Sequence, residues 1–408
     1  METKTYKLDS LCEITSSKRI FYSEYTESGI PFFRSKEIID LFNKNKIATE
    51  LFISKDRYNE IKSKFGVPEK DDMLLTSVGS IGIPYLVKSS DKFYFKDGNL
   101  TWFRNYNRKL IVPLYLYLWT TSSVGKETLM RLSMGAAQPA LTISRLKNLS
   151  LNLPSVSVQQ KIASILSAYD RLIENNTRRI RLLEQMAENL YKEWFVRFRF
   201  PGHEKVEMVN GLPKGWERTK LIKNIKTSSG GTPSRNKSEY YKNGDIPWIK
   251  TGELQDCILI NTEECITEDA VNNSSAKIFP KGTLLMAMYG VNVGKLGISE
   301  IEATCNQACC VFTPKHIDYK YYLFHYFKFI REYLLSISFG AAQQNLSQEL
   351  IKSIKVLFPD EKTNISFVKE VEPLFREISI IQQQNQLLTR QRDLLLPRLM
   401  SGKLEVKS

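Results

Sequence analysis

The sequence predicts an α+β fold built by internal duplication, in which two mixed lobes are separated by two long antiparallel coiled-coil helices. Three observations predict it. Segments of the first half recur in the same order in the second half. Each mixed segment carries short β-rich runs punctuated by Gly, Asn, Ser and Pro. Each is followed by an unbroken seam of apolar residues at alternating steps of four and three.

The duplication is visible in three matched segments. GIPFFRSKEI at 29–38 matches DIPWIKTGEL at 245–254, DDMLLTSVGSIG at 71–82 matches KGTLLMAMYGVNVG at 281–294, and MGAAQPALTISRLKNLSLNLP at 134–154 matches FGAAQQNLSQELIKSIKVLFP at 339–359. The offset drifts from 216 to about 210 and then settles at 205. Loops therefore changed length early in each repeat, whereas the last part of each repeat kept its length.

The predicted bounds follow from these matches. They are 1–155 for the first lobe, 156–200 for the first helical segment, 201–215 for a linker, 216–360 for the second lobe, and 361–408 for the second helical segment with its tail. Within the segments we expect helices over about 156–198 and 361–400. Pro201 and Gly202 begin the linker, and Pro397 with Gly402 should close the second helix.

Each helix seam has ten layers. The first seam consists of Ile162, Leu166, Tyr169, Ile173, Asn176, Ile180, Leu183, Ala187, Leu190 and Trp194. The second consists of Phe367, Val371, Leu374, Ile378, Ile381, Asn385, Leu388, Arg392, Leu395 and Leu399. If the helices pair antiparallel and flush, layer k faces layer 11 − k. Asn176 should then face Asn385 and set the register, and Arg392 should lie against Tyr169 in a cation–π contact.

The composition favours a polyanionic partner, with a basic enzyme as the alternative. Lys and Arg exceed Asp and Glu by 14 in 408 residues. No apolar stretch approaches the roughly 20 residues of a membrane span, and the N-terminus lacks a signal-peptide core, so we expect a cytoplasmic protein without membrane contact. The six cysteines form no C-x-x-C pair, which favours buried free thiols and no metal site.

No catalytic motif is evident. The glycine-rich cofactor loop and the Asn-Pro-Pro-aromatic motif of adenine methyltransferases are absent. The segment Gly290-Val-Asn-Val-Gly294-Lys295 is one residue short of a phosphate-binding loop and lacks its hydroxyl residue. The acidic pairs at 71–72 and 263–264 are expected to be solvated turns, because adjacent strand residues point to opposite faces. We therefore predict a chain without catalytic, metal or cofactor sites of its own.

Four motifs, which occupy five segments of the chain, resemble those of the specificity subunits of type I restriction–modification systems. They are LPKGWERTKL at 212–221, G-A-A-Q at 135–138 and 340–343, YKEWFVRFRFPG at 191–202, and LLPRLMSGKL at 395–404. The resemblance implies two target-recognition domains that each read half of a split double-stranded DNA target. It also implies helices that dock two methyltransferase subunits, a motor-nuclease restriction subunit in the full complex, and S-adenosylmethionine and ATP held by those partners. The second G-A-A-Q loop lacks the proline found at 139.

The polar residues of two matched segments, together with one basic loop, are the candidate DNA contacts, with ordinary surface turns as the alternative. They are Arg34, Ser35, Lys36, Ser77, Ser80, Lys250, Thr251, Tyr289 and Asn292. Arg235 lies in the basic loop TPSRNK at 232–237, where we expect contact with phosphate or solvent. The alternative function is a specificity or scaffold chain of another restriction enzyme class, which would bind protein partners through its helices.

Overall fold

The computed structural model describes residues 2–43, 45, 47, 49–134, 139–338 and 345–406. The chain divides into two compact units. Unit 1 comprises residues 1–172 and 388–408, and unit 2 comprises residues 173–387. Both boundaries fall inside long helices, so each unit contains one mixed lobe and part of each helix. The G-A-A-Q segments lie outside the described residues.

Lobe 1 comprises the elements that precede the first long helix. Its strands are β1 (Lys4–Lys7), β2 (Glu13–Thr15), β3 (Tyr25–Thr26), β4 (Ile30–Phe33), β5 (Phe52–Ile53), β6 (Met73–Thr76), β7 (Pro84–Leu86), β8 (Tyr94–Phe95), β9 (Leu100–Arg104) and β10 (Ser150–Leu153). Its helices are α1 (Ser35–Phe42), α2 (Lys55–Phe65), α3 (Pro113–Thr121), α4 (Ser123–Ser133) and α5 (Ile143–Lys147). The strands pair in the orders β2-β9-β6-β7, β3-β5-β4-β8 and β1-β10.

Strand β6 lies at the centre of the lobe 1 core. All four of its residues are buried, because β7 and β9 flank it and apolar clusters cover both faces. Met73 and Leu75 belong to the cluster that also contains the start of the first long helix, whereas Leu74 packs with Trp102 in a second cluster. A strand covered on both faces needs a continuous apolar run, which is what Met-Leu-Leu supplies.

The first long helix, α6 (Val156–Tyr191), has 36 residues and is about 54 Å long at 1.5 Å per residue. It begins where predicted but ends earlier than residue 198. A π-helical turn over Lys192–Val196 follows it, and Phe198 then adopts a positive φ of 56°. This change of direction lets Phe198 and Phe200 pack on Trp216, with ring centroids 5.5 and 5.4 Å away. The aromatic contacts therefore end the helix before the proline at 201 does.

The elements of unit 2 follow the linker, in which β11 (Met208–Val209) and β12 (Leu212–Pro213) form a hairpin. The strands of lobe 2 are β13 (Glu217–Lys220), β14 (Ile225–Ser229), β15 (Ile246–Ile249), β16 (Cys257–Leu259), β17 (Cys265–Ile266), β18 (Leu284–Ala287), β19 (Leu296–Ser299), β20 (Thr304–Cys305), β21 (Cys309–Pro314) and β22 (Lys355–Phe358). Its helices are α7 (Glu268–Asn272), α8 (Lys320–Phe329), α9 (Arg331–Ser338) and α10 (Gln348–Ser353). The strands pair in the orders β14-β21-β18-β19-β16, β17-β15-β20 and β13-β22.

Lobe 2 repeats the topology of lobe 1. Strand β18 lies between β19 and β21 as β6 lies between β7 and β9, and the pair β13-β22 repeats the antiparallel pair β1-β10. Strands β15 and β20 pair in parallel, as β4 and β8 do. Strand β16, which pairs in parallel with β19, is an addition of lobe 2. The predicted duplication and the α+β class are confirmed.

The second long helix, α11 (Glu361–Met400), has 40 residues and the predicted bounds. Pro397 lies inside this helix and does not end it, because the chain leaves the helix only after Met400. Asp360 begins the helix: its Oδ1 accepts the backbone N–H of Thr363 at 3.0 Å, which is a typical N-cap hydrogen bond. A buried aromatic side chain, Trp216, donates to Oδ2 of the same aspartate at 3.0 Å.

The two helices run antiparallel within each unit. In unit 2, the ring centroids of Trp194 and Phe367, which are the last and first seam layers, lie 5.7 Å apart. Further along, Arg179 of α6 pairs with Glu377 of α11 at 2.7 Å. In unit 1, Ile162 and Leu399, the first and last layers, are buried in one cluster. These layers meet in the predicted flush order.

One of the two predicted polar contacts between the seams is wrong. Arg392 donates to Asp170 at 2.7 Å and to Asp393 at 2.8 Å, and among the described rings none lies against it, so the predicted contact with Tyr169 is wrong. Asp170, the residue after Tyr169, offers the guanidinium an opposite charge, which stabilises it more than an aromatic ring would. Asn176 is buried, but no hydrogen bond within the described chain joins it to Asn385, whose Oδ1 is buried without a partner. Packing of the terminal layers supports this register, and the facing of Asn176 and Asn385 stays a prediction.

Candidate nucleic-acid interface

Equivalent strand ends in the two lobes present a cation in the same way. Arg34 follows β4, and Lys250 follows β15. The backbone N–H of Arg34 donates to Glu37 Oε2 at 2.7 Å, and that of Lys250 donates to Glu253 Oε1 at 3.0 Å. A carboxylate three residues ahead is well placed to accept this N–H at the start of a helical turn. The two turns therefore share a backbone shape and differ in the side chains that they present.

In lobe 1 this turn orients one cation and leaves another exposed. The Nη2 atom of Arg34 lies 2.9 Å from Oε1 of the buried Glu37, and this hydrogen bond raises the pKa of the guanidinium. Ser35 Oγ is buried and has no hydrogen-bond partner in the described structure. Lys36 is exposed and makes no ion pair with any described residue. Of the three predicted contacts, Lys36 is the one most available to a phosphate.

In lobe 2 the structure brings together two cations that were predicted from separate segments. Lys250 Nζ lies 2.9 Å from Glu263 Oε2 and 3.0 Å from Glu264 Oε1. Arg235 Nη1 donates to Glu264 Oε2 at 2.8 Å. These bonds, first from Arg235 and then from Lys250, lower the pKa of the Glu264 carboxyl. Two cations thus face two carboxylates, and the cluster has little net charge.

The second pair of matched segments forms hairpin loops between β6 and β7 and between β18 and β19. Gly79 and Gly82 have φ of 75° and 81°, and Gly290 and Gly294 have φ of 83° and 76°. Glycine adopts this left-handed region without the strain that a Cβ would cause. The two loops therefore use glycine at matching places. The segment 290–295 links antiparallel strands, whereas a phosphate-binding loop links a strand to a helix.

Only part of each hairpin loop is exposed. Ser80 is exposed and Tyr289 is 39% exposed. Ser77 is buried, with its Oγ 2.6 Å from Thr101 Oγ1. Asn292 is also buried, and its Nδ2 donates to the carbonyl of Thr251 at 3.0 Å. As placed, Ser77 and Asn292 stabilise the loops and have no surface for a base edge, whereas Ser80 and Tyr289 do.

The segments that follow the two G-A-A-Q motifs lie against these hairpin loops. The backbone N–H of Leu141 donates to the Ser77 carbonyl at 2.9 Å, and that of Leu346 donates to the Met288 carbonyl at 2.9 Å. In both lobes, therefore, a residue shortly after the motif is hydrogen-bonded to the hairpin loop that carries the candidate DNA contacts. Two segments that were matched only by sequence thus meet at one end of β6 and at the equivalent end of β18. In lobe 2 the third segment joins them, through the hydrogen bond from Asn292 to the Thr251 carbonyl.

The remaining motifs are structural. Asp72, expected in a solvated turn, is buried at 9% exposure and accepts a hydrogen bond from Trp102 Nε1 at 2.9 Å. Its neighbour Asp71 pairs with Arg108 at 3.0 Å on the surface. The cysteines are unbridged. Within the described part of the chain, no group of three His, Cys, Asp or Glu side chains could hold a metal ion. Among the helices of the described ranges, none combines the length and the apolar composition that a membrane span requires.

Sequence reasoning missed the partners of Arg235. Its Cζ lies 4.2 Å from the ring centroid of Tyr241 and 4.9 Å from that of Trp248. A signal was present, because Ser23-Glu24-Tyr25 and Ser238-Glu239-Tyr240 repeat at an offset of 215. The loops at 16–24 and 230–240 are therefore also part of the duplication. Each contains an arginine, Arg19 in lobe 1 and Arg235 in lobe 2.

The protein-family model of the type I restriction modification DNA specificity domain matches residues 1–185 of this chain and again residues 213–390. The chain belongs to this family. The two matches coincide with the two structural repeats, so each repeat is one specificity domain. The two matches leave out residues 186–212, around the linker, and residues 391–408, at the end of the second long helix and beyond it.

Named relatives agree with this assignment. The chain is 29% identical over 346 residues to the type I restriction enzyme MjaIX specificity subunit of Methanocaldococcus jannaschii, covering 83% of this chain and 78% of that protein. It is 25% identical to the type I restriction enzyme HindI specificity subunit of Haemophilus influenzae, covering 90% and 93%. The fold is similar to that of the type I restriction–modification S subunit from M. genitalium, with a TM-score of 0.64, 18% identity, and coverage of 100% and 97%.

Proposed function

We propose that this chain is the DNA-recognition subunit of a type I restriction–modification complex and that each lobe reads one half of a split target. The observation that carries the proposal is the duplicated turn and loop. Arg34 and Lys250 follow equivalent strands with the same backbone hydrogen bond, but the polar residues around them differ. A shared frame with different side chains suits two lobes that read different bases.

The chain contributes recognition and positioning, and its partners contribute the chemistry. The candidate residues are cations, hydroxyls and amides that donate to phosphates and base edges. Methyl transfer to adenine belongs to two methyltransferase subunits that dock on the helices and hold S-adenosylmethionine. DNA cleavage belongs to a motor-nuclease subunit that uses ATP. The chain alone should therefore transfer no methyl group from labelled S-adenosylmethionine to DNA.

Mapping of methylated adenines across the genome tests the proposal. Cells that express this gene with its methyltransferase partner should methylate a split motif that is absent when the gene is deleted. Complementation with a variant carrying Arg34→Ala and Lys36→Ala should alter one half of that motif and leave the other half unchanged. Identical methylation with and without the gene contradicts the proposal. A purified chain that binds no duplex, either alone or with the partner, would favour the scaffold alternative.

A further inference from the structure

Arg235 is held in one orientation on the surface of lobe 2. Its guanidinium lies over the rings of Tyr241 and Trp248, at 4.2 and 4.9 Å from their centroids. Its Nη1 donates to Glu264, and its Nε and Nη2 atoms donate to no described residue. The side chain remains 53% exposed. One edge of the guanidinium thus has two parallel N–H donors without a described partner, on a side chain that is stacked in one orientation and more than half exposed.

The backbone of the loop that carries Arg235 is fixed as well. A Cβ on Gly230 would lie 1.9 Å from the carbonyl oxygen of Cys305, and one on Gly231 would lie 2.3 Å from the carbonyl carbon of Ser275. Only glycine permits so close an approach of two backbones. The start of the loop is therefore seated directly on the neighbouring chain segments.

The rings that contact Arg235 also tie down its loop. Trp248 is 2% exposed, and its Nε1 donates to the Gly231 carbonyl at 3.0 Å. The hydroxyl of Tyr241 donates to the Pro233 carbonyl at 2.6 Å. Tyr241 and Trp248 thus hold both the loop and the Arg235 side chain. Because Trp248 belongs to β15, the orientation of the guanidinium depends on the sheet that contains this strand.

The corresponding loop of lobe 1 also contains an arginine, but without this support. Arg19 pairs with Asp97 at 2.9 Å, its side chain is 67% exposed, and it lies over none of the described aromatic rings. A phosphate presents acceptor oxygens in several directions, so a phosphate contact does not require the guanidinium to be stacked in one orientation. The stacking in lobe 2 therefore indicates a function that depends on direction. The local charge also argues against a purely electrostatic contact with phosphate, because Glu263 and Glu264 already balance the charges of Arg235 and Lys250.

We propose that Arg235 reads a guanine in the half-site bound by lobe 2. Its Nε and Nη2 donors would bond the O6 and N7 acceptors that guanine alone presents side by side in the major groove. This inference rests on the proposed function and deepens it. It replaces the phosphate or solvent contact that the sequence favoured. Arginine also bonds phosphates through two donors, but a guanidinium that is stacked in one orientation and whose charge is already balanced suits a base edge.

The test is selection from a random duplex library by the complex of this chain with its methyltransferase subunits. The wild-type complex should select a split motif. Arg235→Lys keeps the charge but replaces the planar, stacked pair of donors with a flexible ammonium, and it should lower the preference for guanine at one position roughly 10- to 100-fold. The other half-site should stay unchanged. Arg19→Lys is the matched control and should leave the lobe 2 half-site as it is in the wild type.

Three outcomes would overturn the inference. In the first, Arg235→Lys retains the full motif, while Arg235→Ala weakens binding to all sequences equally and lowers the salt dependence, as a phosphate contact predicts. In the second, the changed position lies in the half-site that substitutions in lobe 1 also alter. In the third, the wild-type complex selects no split motif, and the proposed function then fails as well. Unchanged thermal unfolding of the lysine variant would show that the loop is still folded.

Discussion

Replacing Asp72 with asparagine should stabilise unit 1 at neutral pH. Asp72 precedes β6 and is 9% exposed. Its Oδ2 accepts hydrogen bonds from Trp102 Nε1 at 2.9 Å and from the Glu69 backbone N–H at 3.0 Å. Burial raises the pKa of this carboxyl from its ordinary 3.8 to about 6. An asparagine oxygen in the same place can accept both hydrogen bonds without carrying a charge.

The sign and size of the effect follow from proton linkage. Below pH 3.8 the carboxyl is protonated in both the folded and the unfolded chain, and it has no effect on stability. As the pH rises towards 6, the unfolded chain ionises while the folded chain resists, so the folded state loses stability. Above pH 6 the loss is complete, at about 3 kcal/mol for a pKa raised by roughly two units. Asp72→Asn should recover most of that free energy at pH 8 and less than about 1 kcal/mol at pH 4.5.

Urea denaturation of the wild-type and variant chains at the two pH values measures this difference. Hydrogen exchange of peptides that cover β6 and β9 separates the opening of unit 1 from that of unit 2. Asp71→Asn is the matched control, because Asp71 is its sequence neighbour but forms a surface ion pair with Arg108 at 3.0 Å. Such a pair is worth about 0–1 kcal/mol, and its loss should not stabilise the chain. An Asp72→Asn variant that is equally or less stable than wild type at pH 8 would refute the reasoning.

Three further predictions concern the helices and the DNA contacts. Phe367→Ala should lower the free energy of unfolding of unit 2 by about 3–5 kcal/mol, because the ring is fully buried against the end of the first helix; urea denaturation with unchanged stability would contradict this. Arg392→Met should be neutral or slightly stabilising, whereas Asp170→Ala should destabilise by up to about 1 kcal/mol, because the partly exposed Arg392 then keeps only its ion pair with Asp393. Thermal unfolding that shifts in the same direction for both would argue against this account. Lys36→Ala should reduce the slope of log affinity against log salt by about 0.9, measured by fluorescence anisotropy, and weaken only the half-site of lobe 1. Equal weakening of both half-sites would show that the lobes do not read separately.

Local patterns in the sequence were sufficient to predict the two repeats and the presence of the two long helices. The seam at steps of four and three depends only on helix geometry, and it placed the bounds of α11 at 361–400 as observed. The end of α6 was predicted less well, because contacts of Phe198 and Phe200 with Trp216 decide it. The recurrence of matched segments likewise predicted the topology of lobe 2 from that of lobe 1.

Tertiary structure decided which polar residues can act and with which partners. Ser77 and Ser80 look alike in sequence, yet the first is buried beside Thr101 and the second is exposed. Glu264 joins Arg235 to Lys250 across segments that are distant along the chain. Periodicity reports the environment of a helix or strand, since neighbours there are close in sequence. The burial of a loop side chain and the partner of a charge depend on residues from remote segments, which only the packed fold brings within hydrogen-bond distance.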